Sequence, residues 1–319
     1  MTAPGVLGGQ PVLIAAELKS LLEPSQLAGL EVTWIASDTP TPPGDFVALV
    51  PLLSRWVGGT ELKHLPKLRV VANCAVGYNN VDVVAAELRK VIVTNTPDVL
   101  TEATADLTWA LILACARRLI EGVDLIRSGT WTGWHPGQLL GLELRGKTLG
   151  IFGAGRIGQA VGRRAPAFGM TVRYTARAAK PRFEEETGAV RVEVGRLLRE
   201  SDVLTLHAPS TPETTGIINA EALARMRSSA ILVNTARGDL VREEALAIAL
   251  EEGRLGAAGL DVYVDEPRIH PRLLAAPRAV LLPHIGSATH ETRRRMAGVA
   301  LANVHAVLRG EPPLTPVYR

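Results

Sequence analysis

The chain has 319 residues, 47% of them apolar, which is enough material for two buried cores. Its 35 Lys and Arg residues nearly balance its 32 Asp and Glu residues, and the net charge of +3 argues against a nucleic-acid partner. The two cysteines, Cys74 and Cys115, lie in apolar stretches without a neighbouring Cys or His cluster, which argues against a disulfide framework and against a metal site.

The N-terminal sequence Met-Thr-Ala-Pro-Gly lacks the basic segment of a signal peptide. The longest apolar stretch, around residues 107–116, is too short to span a bilayer and ends at Arg117 and Arg118. Both observations predict a soluble, cytoplasmic protein without a membrane partner.

The first hundred residues alternate short apolar runs with helical patterns, which predicts a small α/β domain. Its predicted strands are 12–14, 32–34, 47–50, 69–73 and 91–94. A helix is predicted next, over about 101–120, and a segment rich in Gly and Trp follows at 129–141.

From residue 148 onward the alternation is stronger, and six strands are predicted, at 148–152, 171–174, 203–207, 231–234, 257–261 and 280–282. Strands separated by helices pair in parallel, so we predict a doubly wound, Rossmann-type sheet with the carboxyl ends of all strands on one edge. The last helix, about 289–308, is expected to return to the first domain. We therefore predict a dinucleotide-binding domain, 99–287, inserted in a smaller flavodoxin-like substrate domain, 1–98 plus 288–319.

A glycine-rich turn, Gly153-Ala154-Gly155-Arg156-Ile157-Gly158, follows the strand predicted at 148–152 and opens a helix. Its glycines let a pyrophosphate approach the backbone N–H groups at the helix start, where the helix dipole favours negative charge. Because the motif stands between a strand and a helix, it predicts a bound nicotinamide dinucleotide. Pro166 is expected to kink or end this helix.

The second strand of the dinucleotide-binding unit ends without the acidic residue that usually binds the ribose hydroxyls of NAD. It reads Tyr174-Thr175-Ala176-Arg177, with Lys180 and Arg182 nearby. The absence of a negative charge and the presence of these cations favour the 2′-phosphate of NADP(H), bound at Thr175 and Arg177. If the cations form only a solvated loop, NAD(H) can still bind.

Three polar residues stand at or just past the ends of late strands: Arg237, Glu266 and His284. Reduction of a 2-keto acid needs a group that holds the carboxylate and polarises the carbonyl, which suits the planar fork of Arg237. It also needs a proton donor, which suits the imidazole of His284. Glu266 is expected to accept a hydrogen bond from the second imidazole nitrogen, so Glu266→Gln should lower the pH at which reduction fails.

Each of these three residues, taken singly, is also compatible with an ordinary surface or loop position. Their joint position at strand ends favours catalysis. His207 also follows an apolar strand but lacks a matching carboxylate, so we assign it to the cofactor edge.

The chain resembles the D-2-hydroxyacid dehydrogenases, and within them the glyoxylate/hydroxypyruvate reductases, from about residue 47 to the C-terminus. The resemblance is carried by the sequence Asn-Cys-Ala-Val-Gly-Tyr-Asn-Asn-Val-Asp at 73–82, by Thr-Pro-Asp-Val-Leu-Thr-Glu at 96–102, by Trp-Thr-Gly-Trp at 131–134, by the glycine-rich turn and by the segments around the three polar residues.

The resemblance implies that Arg237, Glu266 and His284 are the substrate-binding arginine, its carboxylate partner and the acid/base histidine. It implies that the backbone N–H groups of Val76 and Gly77 receive the substrate carboxylate, although a plain turn is the alternative. Trp134 would reach the pocket of a second subunit in a homodimer formed through the dinucleotide-binding domains, or else pack in an interface or core. Leu53, Ser54 and Arg55 are further candidates to line the pocket.

The cofactor-binding residues predicted along the edge of the large sheet are Gly153, Gly155, Arg156, Ile157, Gly158, Thr175, Arg177, His207, Ala208, Pro209, Thr215, Thr235, Ala236, Asp261, His284 and Gly286. The predicted activity is NADPH-dependent reduction of glyoxylate to glycolate and of hydroxypyruvate to D-glycerate. The alternatives are a related dehydrogenase, acting on phosphoglycerate, formate, phosphite or a bulkier 2-keto acid, and a dinucleotide-sensing protein of the corepressor type.

Overall fold

The computed structural model describes residues 8–317, so the N-terminal residues used to predict the absence of a signal peptide lie outside the described part. The chain divides into two compact units. The first unit comprises the chain up to Leu100 and from Ser287 onward, and the second unit is Thr101–Gly286. Between residues 8 and 317, no helix is long and apolar enough to cross a membrane; the cytoplasmic location stays a prediction.

The first unit is built on a five-stranded parallel sheet. Its strands are β1 (Gln10–Ala15), β2 (Leu30–Ile35), β3 (Ala48–Val50), β4 (Val70–Ala72) and β5 (Ile92–Thr94). They are arranged in the order β2-β1-β3-β4-β5, which is the strand order of the flavodoxin-like fold predicted for this unit. Each predicted strand is present, with its ends within two residues of the prediction.

Helices cover both faces of this sheet. They are α1 (Gly59–His64), α2 (Val83–Leu88) and the last helix of the chain, α11 (His290–Leu308), with short 3₁₀ turns at Ala16–Leu21 and Pro24–Leu27. Val12 and Ile14 of β1 pack on the α11 side, whereas Leu13 packs on the opposite side, because successive side chains of a strand alternate. The last helix thus belongs to the first unit.

The second unit contains a seven-stranded parallel sheet. Its strands are β6 (Thr148–Phe152), β7 (Thr171–Thr175), β8 (Val190–Arg191), β9 (Val203–Leu206), β10 (Ile231–Asn234), β11 (Ala257–Leu260) and β12 (Ala279–Leu281), arranged β12-β11-β10-β9-β6-β7-β8. The chain therefore reverses direction across the sheet between β6 and β9, which is where such folds bind ligands. The Rossmann-type prediction is confirmed, but β8 was missed because two residues at a sheet edge carry no periodic pattern.

The helices of the second unit are α3 (Thr101–Ala116), α4 (Leu119–Arg127), α5 (Arg156–Arg164), α6 (Pro181–Thr187), α7 (Val194–Glu200), α8 (Ala220–Arg225), α9 (Glu243–Glu251) and α10 (Pro271–Leu274), with 3₁₀ turns at Ala165–Phe168 and Gly238–Leu240. The single helix predicted over 101–120 is wrong, because Arg118 takes a left-handed conformation, with φ of 52°, and separates α3 from α4. The helix α5 ends just before Pro166, as expected.

Candidate active site

The last three strands of the second unit are neighbours in its sheet, and each is followed by one of the predicted catalytic residues. Arg237 lies just after β10, Glu266 lies in the loop after β11, and His284 lies just after β12. Parallel strands end at one edge of a sheet. The topology therefore brings three residues that are distant in sequence to the same edge.

Glu266 and His284 are in direct contact. The imidazole Nδ1 of His284 lies 2.7 Å from Oε2 of Glu266, and both side chains keep 34% of their surface exposed. An ionised carboxylate can only accept, so the Nδ1–H of His284 donates this bond. The Nε2 atom of the imidazole is left for proton exchange with another group.

The carboxylate of Glu266 is held and kept ionised by its surroundings. The backbone N–H of Tyr263 donates to its Oε1 at 3.0 Å. Burial opposes ionisation, but the bond from His284, the N–H of Tyr263 and the charge of Arg237 outweigh it and lower the pKa of Glu266. The ionised form that orients the imidazole is thus the form present at neutral pH.

The backbone of His284 is held in an uncommon conformation. Its φ of 54° lies in the left-handed region, which costs an L-residue about 1 kcal/mol. The buried carboxylate of Asp261 accepts the next two backbone N–H groups, those of Ile285 and Gly286, at 2.7 Å each. Asp261 therefore fixes the turn that orients the side chain of His284. Contact of Asp261 and Gly286 with the cofactor stays a prediction.

Burial raises the pKa of Asp261, although the N–H groups of Ile285 and Gly286 and the charge of His284 act in the opposite direction. The phenol of Tyr263 donates to the backbone oxygen of Leu282 at 2.9 Å, so it ties the loop of Glu266 to the loop of His284. Sequence reasoning missed Tyr263. Its position beside Asp261, at the end of a buried strand, was the only available signal.

Arg237 presents an incompletely paired guanidinium. Its one hydrogen bond to the described residues goes from Nη1 to the backbone oxygen of Ala236, at 2.5 Å. Burial lowers the pKa of Arg237, whereas the carboxylates of Glu266 and Asp239 oppose that shift, and an arginine stays charged at any working pH. Because a guanidinium carries five N–H donors, most of them are left for an anionic ligand.

The turn that carries Arg237 depends on Asn234 and Gly238. The amide of Asn234 donates to the backbone oxygen of Arg237 and accepts the N–H of Ala236, at 2.8 Å and 3.0 Å. A side chain at Gly238 would begin 1.9 Å from the backbone carbon of Tyr263. Only glycine therefore allows this turn to approach the loop that holds Glu266.

The glycine-rich turn lies at the reversal point of the sheet. The N–H groups of Gly153 and Ala154 both donate to the backbone oxygen of Thr175, at the end of β7. Gly153 has φ of 96°, and a Cβ there would lie 2.6 Å from the backbone nitrogen of Ala208. Helix α5 follows, and no side chain of the described residues caps its N-terminus, the end at which the helix dipole favours negative charge.

The loop after β7 is held from both sides. The guanidinium of Arg191 donates to the backbone oxygens of Ala176 and Arg177, at 3.0 Å and 3.1 Å. The phenol oxygen of Tyr174 accepts the N–H of Lys180 at 2.8 Å and also contacts Glu184. The exposed guanidinium of Arg177 itself forms no ion pair with the described residues.

The remaining predicted cofactor residues follow β9 and β10. The Nε2 atom of His207 is buried and has no partner among residues 8–317, and burial lowers the pKa of His207 to about 3, so this imidazole is neutral. The hydroxyl of Thr215 donates to the backbone oxygen of Thr211, and that of Thr235 contacts the hydroxyl of Thr108. Ala208, Pro209 and Ala236 border the same edge.

The predicted substrate-contacting residues of the first unit lie in two loops after neighbouring strands. Leu53 and Ser54 follow β3, and Val76 and Gly77 follow β4. The prediction that Arg55 lines a pocket is wrong. Arg55 is 5% exposed, and its guanidinium donates to Thr41 and to the backbone oxygen of Ala36.

The tryptophan predicted at a subunit contact is exposed. Trp134 keeps 83% of its surface accessible, which excludes core packing within the chain. Helix α4, just before this segment, exposes Leu119, Ile120, Val123 and Ile126. The second unit thus presents a contiguous stretch of chain with uncovered large apolar side chains.

Replacing Glu266 with Gln is expected to lower the kcat of the reduction about tenfold. An amide is neutral and carries its own N–H donors, so the Nδ1–H of His284 loses the ionised acceptor that fixes the direction of its imidazole. Steady-state rates of the variant and of the wild type check this, and an unchanged kcat would contradict the pairing.

Comparison with known proteins identifies the family. Residues 109–286 match the model of the D-isomer specific 2-hydroxyacid dehydrogenase NAD-binding domain. The glyoxylate reductase of Thermococcus kodakarensis is 50% identical over 279 residues, covering 86% of this chain and 84% of that protein. The glyoxylate reductase of Thermococcus litoralis is 49% identical over 270 residues, covering 83% and 82% of the two chains.

Comparison with solved structures supports the same family. The TT0316 protein of Thermus thermophilus superposes with a TM-score of 0.87 at 45% identity, over 97% of this chain and all of that one. The NADPH-dependent glyoxylate/hydroxypyruvate reductase of Sinorhizobium meliloti, solved with NADP and malonate, superposes with a TM-score of 0.86 at 34% identity, over 96% of each chain.

The second unit has a doubly wound sheet of the dinucleotide-binding type, with an Arg, a Glu and a His at the carboxyl edge of its strands. This combination is typical of nicotinamide-dependent oxidoreductases. The chain belongs to the D-isomer specific 2-hydroxyacid dehydrogenase family. It is an enzyme of that family.

Proposed function

We propose that the protein reduces small 2-keto acids, glyoxylate to glycolate and hydroxypyruvate to D-glycerate, with NADPH as the preferred reductant. The observation that carries the proposal is the contact between His284 and Glu266, whose carboxylate also interacts electrostatically with the half-buried, incompletely paired Arg237. The glyoxylate reductases of Thermococcus, at 48–50% identity, support the choice of substrate.

The three residues divide the work of the reduction. The fork of Arg237 binds the carboxylate and the carbonyl oxygen of the substrate and stabilises the negative charge that develops on that oxygen. His284, protonated and held by Glu266, gives its Nε2 proton to the oxygen as the carbonyl carbon is reduced. The carbonyl becomes an alcohol, and Glu266 stays ionised throughout.

The second unit fits a nicotinamide dinucleotide. The open space beside Gly155, where a Cβ would meet no heavy atom of the described residues within 4 Å, and the uncapped start of α5 suit a pyrophosphate. Gly153, Ile157 and Gly158 belong to the same turn. When bound, the reduced cofactor supplies the hydride that reaches the keto carbon. We propose accordingly that the second unit is the dinucleotide-binding domain and the first unit the substrate domain, with Leu53, Ser54, Val76 and Gly77 as its substrate-contacting residues.

We expect Arg177→Ser to weaken NADPH binding about thirtyfold and to leave NADH binding within about twofold. A charge-assisted bond to the 2′-phosphate is worth about 2 kcal/mol, and NADH lacks this phosphate. Titration of cofactor fluorescence gives both dissociation constants. Arg196→Ser is the matched control, because Arg196 is also exposed but pairs with Glu200. If Arg177→Ser weakened the binding of NADPH and of NADH equally, Arg177 would not account for a preference for NADPH.

The decisive experiment for substrate and cofactor is the set of kcat/KM values for glyoxylate, hydroxypyruvate and pyruvate, each with NADPH and NADH. We expect glyoxylate and hydroxypyruvate with NADPH to be the best pairs. If only pyruvate were turned over efficiently, the protein would be a different dehydrogenase of the family, and the proposed substrates would be wrong. Tight cofactor binding without any turnover would favour the dinucleotide-sensing alternative.

We also propose a homodimer formed through the second unit. The exposed side chains of α4 and of Trp134 supply the apolar surface that such a contact buries. Light scattering of the full chain should give the mass of two chains, and a monomer at micromolar concentration would contradict this.

A further inference from the structure

Three consecutive peptide units after β4 have their carbonyl oxygens bonded to the first unit itself. The oxygen of Ala75 accepts the N–H of Thr96, that of Val76 accepts Nδ2 of Asn95, and that of Gly77 accepts Nδ2 of Asn73, at 2.9, 2.8 and 2.9 Å. Two of these three donors are asparagine side chains.

These bonds fix the direction of the next three N–H groups. In a planar trans peptide the C=O of one residue and the N–H of the next point in opposite directions, and the one cis bond between residues 8 and 317 lies elsewhere, before Pro267. The N–H groups of Val76, Gly77 and Tyr78 therefore point away from the three donors. None of them has an acceptor among the described residues.

A second amide ties this turn to the loop after β3. The side chains of Asn73 and Asn80 donate to each other, at 3.0 and 3.2 Å, and both are buried. Nδ2 of Asn80 also reaches the backbone oxygens of Leu52 and Arg55. The segment with Leu53 and Ser54 and the segment with Val76 and Gly77 are thus joined by one pair of buried amides.

We propose that Asn95, with Asn73 and Asn80, acts as a positioning residue for the substrate carboxylate, by holding the peptide oxygens of Val76 and Gly77 away from the anion and their amides toward it. A carbonyl facing the carboxylate would repel it, whereas successive N–H groups turned to one side form an anion-binding nest. This inference rests on the proposed function, because it gives the substrate carboxylate as the anion.

Asn95→Leu tests the inference, since leucine has nearly the same size and cannot donate to Val76. We expect the dissociation constant of oxalate in the presence of NADPH, and the KM for glyoxylate, to rise about tenfold. The kcat should change less than about threefold, and the NADPH dissociation constant should not change. With glycolaldehyde, which lacks the carboxylate, kcat/KM should match that of the wild type.

The matched control is Asn79→Leu, because Asn79 lies in the same turn but is exposed and outside the amide network. If Asn95→Leu fails to fold, Asn95→Ser, with its shorter hydroxyl donor, should show a smaller rise than tenfold with oxalate. A lower melting temperature with unchanged oxalate binding would show a purely structural role and overturn the inference. Oxalate binding by a wild-type protein that does not reduce glyoxylate would refute the proposed function alone.

Discussion

Replacing His284 with Asn is expected to lower kcat for glyoxylate reduction about a thousandfold while leaving the NADPH dissociation constant unchanged. General acid catalysis contributes about two to four powers of ten, and the variant leaves solvent as the only proton source. Asparagine is chosen because it tolerates the left-handed backbone conformation that His284 adopts, with φ of 54°. The turn held by Asp261 should therefore persist, and the loss reports on the imidazole.

The control for this variant is His290→Asn, at the exposed start of α11, which should keep the wild-type kcat. Stopped-flow measurement of a single turnover with deuterated NADPH separates chemistry from product release. If chemistry becomes limiting, the isotope effect on kcat should increase in the His284 variant. A loss of less than tenfold would place the proton donor elsewhere. The neutral His207 would not be that donor, because its Nε2 atom is buried and burial lowers the pKa of this imidazole to about 3.

The parts of the fold that the sequence predicted best are those with strong local signals. Buried parallel strands are continuous apolar runs, so β6 and β10 were predicted with the ends that the structure shows. Strand β8 has two residues and no such run. The break between α3 and α4 depends on the left-handed backbone conformation of one residue, Arg118. Arginine is not a residue type that favours this conformation, so the break has no signal in the sequence.

The candidate site shows the same division. The positions of Arg237, Glu266 and His284 at one edge of the sheet followed from the alternation of strands and helices, because parallel strands have their carboxyl ends on the same edge. That the three strands are neighbours is shown only by the structure. The hydrogen bonds that hold these site residues in place could not be predicted from the sequence. Asp261 on the turn of His284 and Asn95 on the oxygen of Val76 join residues that are far apart in the chain, and only tertiary packing reveals them.

Replacing Arg237 should have the largest effect on catalytic efficiency. Arg237→Met removes two charge-assisted bonds, one to the substrate carboxylate and one to the developing alkoxide, and should lower kcat/KM for glyoxylate about ten-thousandfold. Arg237→Lys keeps the charge but loses the planar fork, and should lower it about a hundredfold. Both should raise KM and lower kcat together, because Arg237 acts in binding and in the transition state.

The same change should not weaken the folded protein. The guanidinium of Arg237 is largely desolvated, yet it donates only to the backbone oxygen of Ala236 among the described residues. A charge removed from water without a close partner costs stability, so Arg237→Met should raise the melting temperature or leave it unchanged. Arg254→Met, which removes an exposed arginine paired with Glu252, is the control for both measurements. If Arg237→Met instead melts several degrees lower, the residue is a structural element of the turn, and its loss of activity no longer identifies it as the substrate-binding group.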